Sequence, residues 1–346
     1  MPAAVDVVVI GAGQAGLSGA YFLRRSGLEH VVLDHDQGPG GAQQHRWPTL
    51  TLGTTNHVHD LLGLPVGPAD PQVGAAEVVS AYYARYESHF DLHVQRPVHT
   101  SAVRRAAGGR LEVTTDAGSW AARAVINATG TWERPFVPHY PGSFAGRQLH
   151  TAQYRRAADW RGQHVVVVGG GISAVQLLSE IAEVTTTTWV TRRPPVFAET
   201  FSPADGRAAV ARVEQRVRAG LPPGSVVSAT GLPLTPALRR ARDRGVLTPR
   251  PMFVRLVSDG VQWPDGTVQH ADVILWCTGF RPSLAHLTPL NLRAPGGGIR
   301  MDGVLATRVA DEPRMHLLGY GPSASTIGAN RAGRAAVHEI AELLRA

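Results

Sequence analysis

Residues 5–10 (VDVVVI) form a short apolar run closed by glycines, the pattern of a parallel strand buried on both faces. Residues 14–26 then read as a helix, with Gly27 suited to end it, and residues 30–34 as a second strand. The same succession returns in mid-chain, as a strand at 164–168, a helix at 172–183 and a strand at 188–191. Two such β-α-β units predict two doubly wound α/β domains. Between them a helix is expected over residues 75–90, and three short runs (98–103, 110–115 and 119–128) look like a small antiparallel insert. The proline-rich stretch 131–141 reads as a linker. Residues 194–251 hold many prolines and a basic helical stretch near 208–219, and receive no other assignment. A strand at 315–318 and a helix at 325–344 end the chain. Because the second unit interrupts the first, residues 281–346 are expected to complete the domain begun by residues 1–155, with residues 156–280 inserted between them.

Composition narrows the function classes. A chain of 346 residues can build two cores, and 43% hydrophobic with 18% charged residues excludes a disordered chain. No apolar run reaches the ~18 residues of a membrane span. The first run lacks the basic segment of a signal peptide, so a cytoplasmic location is expected. All 34 basic residues are arginine and the net charge is +7. These arginines are scattered and no RNA- or DNA-binding module is visible, so nucleic acid is not an expected partner. The excess instead suits cofactors that carry pyrophosphate. Cys277 is the single cysteine, which excludes both an internal disulfide and a CxxC redox pair. The 15 histidines show no HExxH or other paired spacing, and no metal site is expected.

The glycines that close the first strand carry the chemistry. In Gly11-Ala12-Gly13-Gln14-Ala15-Gly16, Gly11 allows the tight turn, Gly13 lets backbone approach a pyrophosphate, and Gly16 lets helix pack on strand. The helix N-terminus, at Gln14 and Ala15, offers N–H groups and a positive dipole to phosphate. Asp34 ends the second strand, where an acid would accept hydrogen bonds from ribose hydroxyls. The second motif is Gly169-Gly170-Gly171-Ile172-Ser173-Ala174, so Gly169, Gly171, Ser173 and Ala174 are the corresponding candidates. Its second strand is followed by Arg192 and Arg193 instead of an acid, which favours the 2′-phosphate of NADPH over NADH. The fold class is therefore α/β, with two Rossmann-type domains, one inserted in the other.

Phe144, Gly146, His150 and Tyr154 match the pattern FxGxxxHxxxY, just ahead of the second glycine motif. In this the chain resembles the flavin-containing monooxygenases, the class B flavoprotein monooxygenases, in a compact bacterial form. Asn127-Ala128-Thr129-Gly130 and Cys277-Thr278-Gly279-Phe280 resemble the two "ATG" strands that carry such chains between domains. Trp47 resembles a tryptophan that follows the first unit near the flavin. Gly319, in Leu318-Gly319-Tyr320-Gly321-Pro322, lies in a turn that related flavoproteins place against the isoalloxazine ring. Val98, Thr129 and Gly130 complete the cofactor-binding candidates. Asn56 corresponds to an asparagine that the family sets beside the flavin, as its candidate catalytic residue, although His57 and His59 depart from the family pattern.

The resemblance implies FAD on the first domain and NADPH on the second. It implies transfer of one oxygen atom from O₂, through a flavin C4a-hydroperoxide, to a soft nitrogen or sulfur nucleophile of a small molecule. It assigns His150 a structural role. A disulfide reductase of similar fold would need two cysteines. An electron-transfer reductase would need neither the pattern around His150 nor a stabilised oxygenated flavin. A Baeyer–Villiger enzyme would end the pattern in Trp followed by Pro or Asp, where this chain has Tyr154-Arg155. The oligomeric state is left open, a homodimer being one arrangement.

Overall fold

The computed structural model describes residues 2–55, 58–198, 203–224 and 231–345. β1 (Ala3–Ile10) leads through the first glycine turn into α1 (Gln14–Ser26), which ends on Gly27 at φ 75°. β2 (His30–Leu33), α2 (Ala75–His89) and β3 (Val94–Gln95) come next. They lead to β4 (Thr100–Arg105), β5 (Leu111–Thr115) and the ten-residue β6 (Gly118–Asn127). The chain then forms β7 (Arg147–His150), β8 (His164–Val168), α3 (Ile172–Ile181) and β9 (Thr186–Thr191). After these come β10 (Phe197–Ala198), α4 (Pro203–Arg218), β11 (Leu232–Pro233), α5 (Pro236–Asp243) and β12 (Pro249–Pro251). β13 (Arg255–Val257), β14 (Gly260–Gln262) and β15 (Val268–His270) form an antiparallel sheet of their own, ahead of β16 (Val273–Trp276). β17 (Met301–Asp302), β18 (Arg308–Val309), β19 (Glu312–Leu317) and α6 (Thr326–Arg345) complete the fold.

Each main sheet sets the strand ahead of its glycine turn at the centre of five parallel strands. The first has the parallel order β3-β2-β1-β6-β19, and the second the parallel order β12-β9-β8-β16-β7. The near-continuous Val and Ile run of β1 and the Val run of β8 suit burial on both faces. The expected antiparallel insert is not separate. β6 pairs with β1 along its length, while its other edge pairs first with β5 (Leu111↔Ala122) and then with β19 (Met315↔Val125). One long strand therefore serves both the hairpin and the main sheet.

Two compact units result, residues 1–131, 210–224 and 282–346 in the first and 132–209 with 225–281 in the second. The division falls at Thr131 and not at residue 155, because β7 pairs with β16 and so adds residues 132–155 to the second unit. The basic stretch of 194–251 is also divided, since Val217 of α4 packs into the core of the first unit.

In the first unit α1 and α6 cross closely. A Cβ on Gly333 would lie 2.3 Å from Ser18 Oγ, and the Ser18 hydroxyl donates to the Asn330 carbonyl (3.1 Å). No described helix is long and apolar enough to cross a membrane.

Candidate dinucleotide-binding sites

The turn after β1 is built for close backbone approach. Gly11 has φ 96°, and a Cβ there would lie 2.6 Å from the Ala128 carbonyl oxygen. A Cβ on Gly16 would overlap the Gly11 carbonyl oxygen at 1.8 Å. Gly13 is different, because its Cβ would meet nothing closer than Gly41 Cα at 3.7 Å. No side chain caps α1 at Gly13, so the first-turn amides of Gln14 and Ala15 carry the helix's positive end. Gly41 (φ 51°) completes the cradle, since a Cβ there would lie 2.7 Å from Gly13 Cα. The sequence reading missed Gly41, whose only signal was the Gly40-Gly41 doublet before Trp47. Trp47 itself is buried.

Asp34 lies one residue beyond β2, 3% exposed. Burial raises its pKa, and the neighbouring Arg96 opposes that shift. Arg96 Nε donates to Asp34 Oδ2 (2.9 Å), and Arg96 is itself gripped by both oxygens of Glu87 from α2 (2.7 Å each). Val98, the other candidate at this end of the sheet, is buried and donates its N–H to the Asp34 carbonyl (2.8 Å). Among the described residues Asp34, His35 and Asp36 are grouped closely enough to hold a metal ion. Their carboxylates already have protein partners, Arg96 for Asp34 and His45 and Gln44 for Asp36 (2.9 Å each).

The second unit repeats the cradle. Gly169 has φ 141°, and its Cβ would lie 2.3 Å from the Cys277 carbonyl oxygen, as Gly11 faces Ala128. Nothing lies within 4 Å of a Cβ on Gly171, which caps α3 without a side-chain bond. Ser173 and the buried Ala174 occupy the first turn of α3. Register also refines the charge reading. Ile10 pairs with Leu33, and Val168 with Val190, so Thr191 is the counterpart of Asp34, and exposed Arg192 and Arg193 come next.

The FxGxxxHxxxY residues are joints within the second unit. A Cβ on Gly146 would lie 2.6 Å from the Asp272 carbonyl oxygen, and Phe144 packs on a core that holds Phe253 and Trp276. His150 is 2% exposed; its Nε2 donates to the Gly279 carbonyl (3.0 Å) and its Nδ1 accepts from Ala152 N–H (3.1 Å). Burial lowers its pKa, and with both nitrogens engaged the neutral ring is a tie between β7 and the segment after β16 at Gly279. Tyr154 donates to Glu180 Oε1 of α3 (2.8 Å). Cys277 is buried, and burial pushes its thiol pKa up, away from thiolate chemistry.

In the first unit Thr129 donates to the Ser283 carbonyl (2.6 Å), and Gly130 turns at φ 62°. Buried Asn127 accepts from His286 Nε2 (2.6 Å). Gly319 turns at φ 75°, its Cβ position 3.8 Å from the Ala15 side chain, which sets this turn beside the start of α1. Asn56 lies outside the described residues.

Two uncapped glycine cradles, each following the central strand of a parallel sheet, define the class of proteins that hold two dinucleotides. Comparison with known proteins agrees. The pyridine nucleotide-disulphide oxidoreductase family matches residues 8–217. A flavin-containing monooxygenase from Stenotrophomonas maltophilia is 41% identical, with a TM-score of 0.84 over 99% of both chains. An uncharacterized oxidoreductase, CzcO, of Bacillus velezensis is 27% identical over 194 residues, 56% of each chain. A Baeyer-Villiger monooxygenase of Streptomyces coelicolor is 32% identical over 188 residues, 51% of this chain and 36% of its own. The match thus spans about half or less of these two curated relatives' length. The chain belongs to the pyridine nucleotide-disulphide oxidoreductase family and, within it, to the flavin monooxygenases.

Proposed function

We propose that the protein is an FAD-dependent, NADPH-consuming monooxygenase acting on a soft nitrogen or sulfur atom of a small molecule. The reaction balances as NADPH, H⁺, O₂ and substrate giving NADP⁺, water and the mono-oxygenated product. The observation that carries the reading is the pair of uncapped cradles at Gly13 and Gly171, joined in one chain to the His150 fingerprint.

Both cradles fit a dinucleotide, since each leaves backbone bare where a side chain would obstruct a pyrophosphate. The first-turn amides of α1 hold the FAD pyrophosphate, and Asp34 accepts from its adenosine ribose. The first turn of α3, from Gly171 to Ala174, receives NADPH, and Arg192 and Arg193 pair with its 2′-phosphate. When bound, the flavin supplies the two-electron exchange with NADPH and the activation of O₂. Trp47, Thr129, Gly130 and Gly319 would shape the flavin's surroundings, and Asn56 is proposed as the catalytic residue. His150 holds the segment after β16 at Gly279 and moves no proton. The single buried thiol leaves no dithiol for disulfide reduction.

Purified protein should be yellow, release FAD on denaturation, and place one ¹⁸O atom from ¹⁸O₂ in a tertiary amine or aryl sulfide for each NADPH consumed. Electrons appearing wholly as hydrogen peroxide, or in an added electron acceptor, would refute the oxygenase reading. The Streptomyces relative favours a second reading, oxygen insertion beside a ketone. A cyclic ketone converted to lactone while amine and sulfide are untouched would establish it instead.

A further inference from the structure

The acid at the end of β2 is held from outside the glycine motif. Asp34 is 3% exposed, and a carboxylate so buried tends toward its neutral form. A neutral carboxyl is a poorer partner for a ribose diol, which needs acceptors for its hydroxyl protons. Arg96 stands against this, its side chain 10% exposed and its Nε 2.9 Å from Asp34 Oδ2. Its place is fixed twice. The backbone on either side is tied to Asp34, with Asp34 N–H donating to the Gln95 carbonyl (3.0 Å) and Val98 N–H to the Asp34 carbonyl (2.8 Å). The far end of the guanidinium is clamped by Glu87 Oε1 and Oε2 (2.7 Å each). On Asp34's own segment, His35 Nδ1 stands 3.7 Å from Oδ1, beyond hydrogen-bond reach, and Asp36 is held by His45 and Gln44 of the next turn.

We propose that Arg96 is a positioning residue for the first nucleotide, keeping the Asp34 carboxylate ionised with one oxygen committed to protein and the other left for ribose hydroxyls. Glu87 holds Arg96 for that task. The inference rests on the reading of the first cradle as the FAD site. It also sets Arg96 apart from Arg192 and Arg193, because Arg96 lies between two acids, whereas the others are exposed and suited to an incoming phosphate.

The test is FAD affinity as a function of pH, read from the fluorescence of flavin released when the full-length, FAD-loaded protein is diluted. Wild type, Arg96→Gln, Arg96→Lys and Glu87→Gln are compared. Between about pH 8.5 and about pH 5, wild-type affinity should change less than about three-fold, while Arg96→Gln should weaken toward acid by at least about three-fold more than wild type, as for a carboxyl that takes up its proton at higher pH once its cation is removed. Arg96→Lys should restore most of the flatness. Arg96→Gln affinity equal to wild type at every pH, or a pH-independent loss that lysine does not repair, would overturn the proposal. If Arg96→Gln does not fold, Glu87→Gln decides, since it leaves Arg96 in place but unclamped and should show the same pH dependence in weaker form. A wild-type protein that releases no FAD would instead sink the cradle reading itself.

Discussion

Gly169 and Gly171 stand two residues apart in one turn, yet their substitutions by alanine should fail in different ways. Gly169 occupies φ 141°, where an L side chain is strained, and a Cβ there would sit 2.3 Å from the Cys277 carbonyl oxygen and 2.9 Å from its carbon. Backbone strain and a forced shift of buried backbone each cost on the order of 1–3 kcal/mol, so Gly169→Ala should lose roughly 2–5 kcal/mol of stability. Gly171 has φ −101°, and nothing lies within 4 Å of its Cβ position. Alanine is a poorer N-cap than glycine by up to about 1 kcal/mol, but its smaller unfolded-state entropy returns about 0.4–1 kcal/mol, so Gly171→Ala should melt within about 1 kcal/mol of wild type. Its effect should appear only when a pyrophosphate approaches that backbone. Losing one charge-assisted hydrogen bond, worth about 1.5–3 kcal/mol, weakens NADPH roughly ten- to a hundred-fold. Denaturant unfolding without nucleotide measures the first effect, and anaerobic NADPH titration of the yellow protein measures the second. NADPH affinity in Gly171→Ala within two-fold of wild type would show that no phosphate comes close to Gly171. Wild-type stability in Gly169→Ala would refute the packing argument.

Charge and burial set the other expected outcomes. Replacing Arg192 and Arg193 together by alanine should weaken NADPH about ten-fold or more while NADH changes little; equal losses in a titration of both would show that neither arginine reads the 2′-phosphate. Asn56→Ala should keep FAD binding and NADPH reduction but divert turnover to hydrogen peroxide, measured as peroxide formed per NADPH, and an unchanged ratio would remove Asn56 from the chemistry. Burial lowers the pKa of His286 to about 4 and of His316 to about 3, below the value near 6.5 of an unfolded histidine. Each group therefore binds more protons in the unfolded chain below pH 6.5, so its stability contribution is present above that pH and is lost on acidification, at up to about 1.4 kcal/mol per pH unit. Urea unfolding between about pH 6.5 and about pH 4 should show that slope, and His316→Gln should reduce it.

The regular elements were legible because their signals are local. β8 is a run of valines with a strand's length, α1 ends at a glycine that only a left-handed cap requires, and the glycines of both turns announce where helix succeeds strand. The features that escaped reading depend on contacts far apart in sequence. β6 looks like any hairpin strand, and nothing in its residues says that one edge is shared by β5 and β19. Arg96 sits in an unremarkable Gln-Arg-Pro stretch, and its partners Asp34 and Glu87 come from just beyond β2 and from α2. His150 stood out as a fingerprint residue, but only the fold shows that both ring nitrogens are spent on backbone.

The same first-glycine contact and the same uncapped helix start occur in both units, so the cradles alone do not distinguish one dinucleotide from another. Discrimination has to come from the residues just beyond the second strand, where the units diverge in charge and in exposure. In the first unit the position is Asp34, buried and already balanced by Arg96, a setting that admits neutral hydroxyls and repels a phosphate dianion. In the second the counterpart is Thr191, with two exposed arginines after it whose charge is free to meet a phosphate at the surface. The proposed preference of the second cradle for NADPH over NADH therefore rests on this divergence. An acid placed at Arg192 should accordingly move the second unit's preference toward NADH. Arg192→Asp should weaken NADPH more than alanine does, because repulsion is added to the lost pairing, while NADH gains an acceptor for its ribose. Competitive titration of the two nucleotides measures the ratio, and an aspartate variant that discriminates no more than the alanine variant would show that Arg192 stands away from the 2′ position.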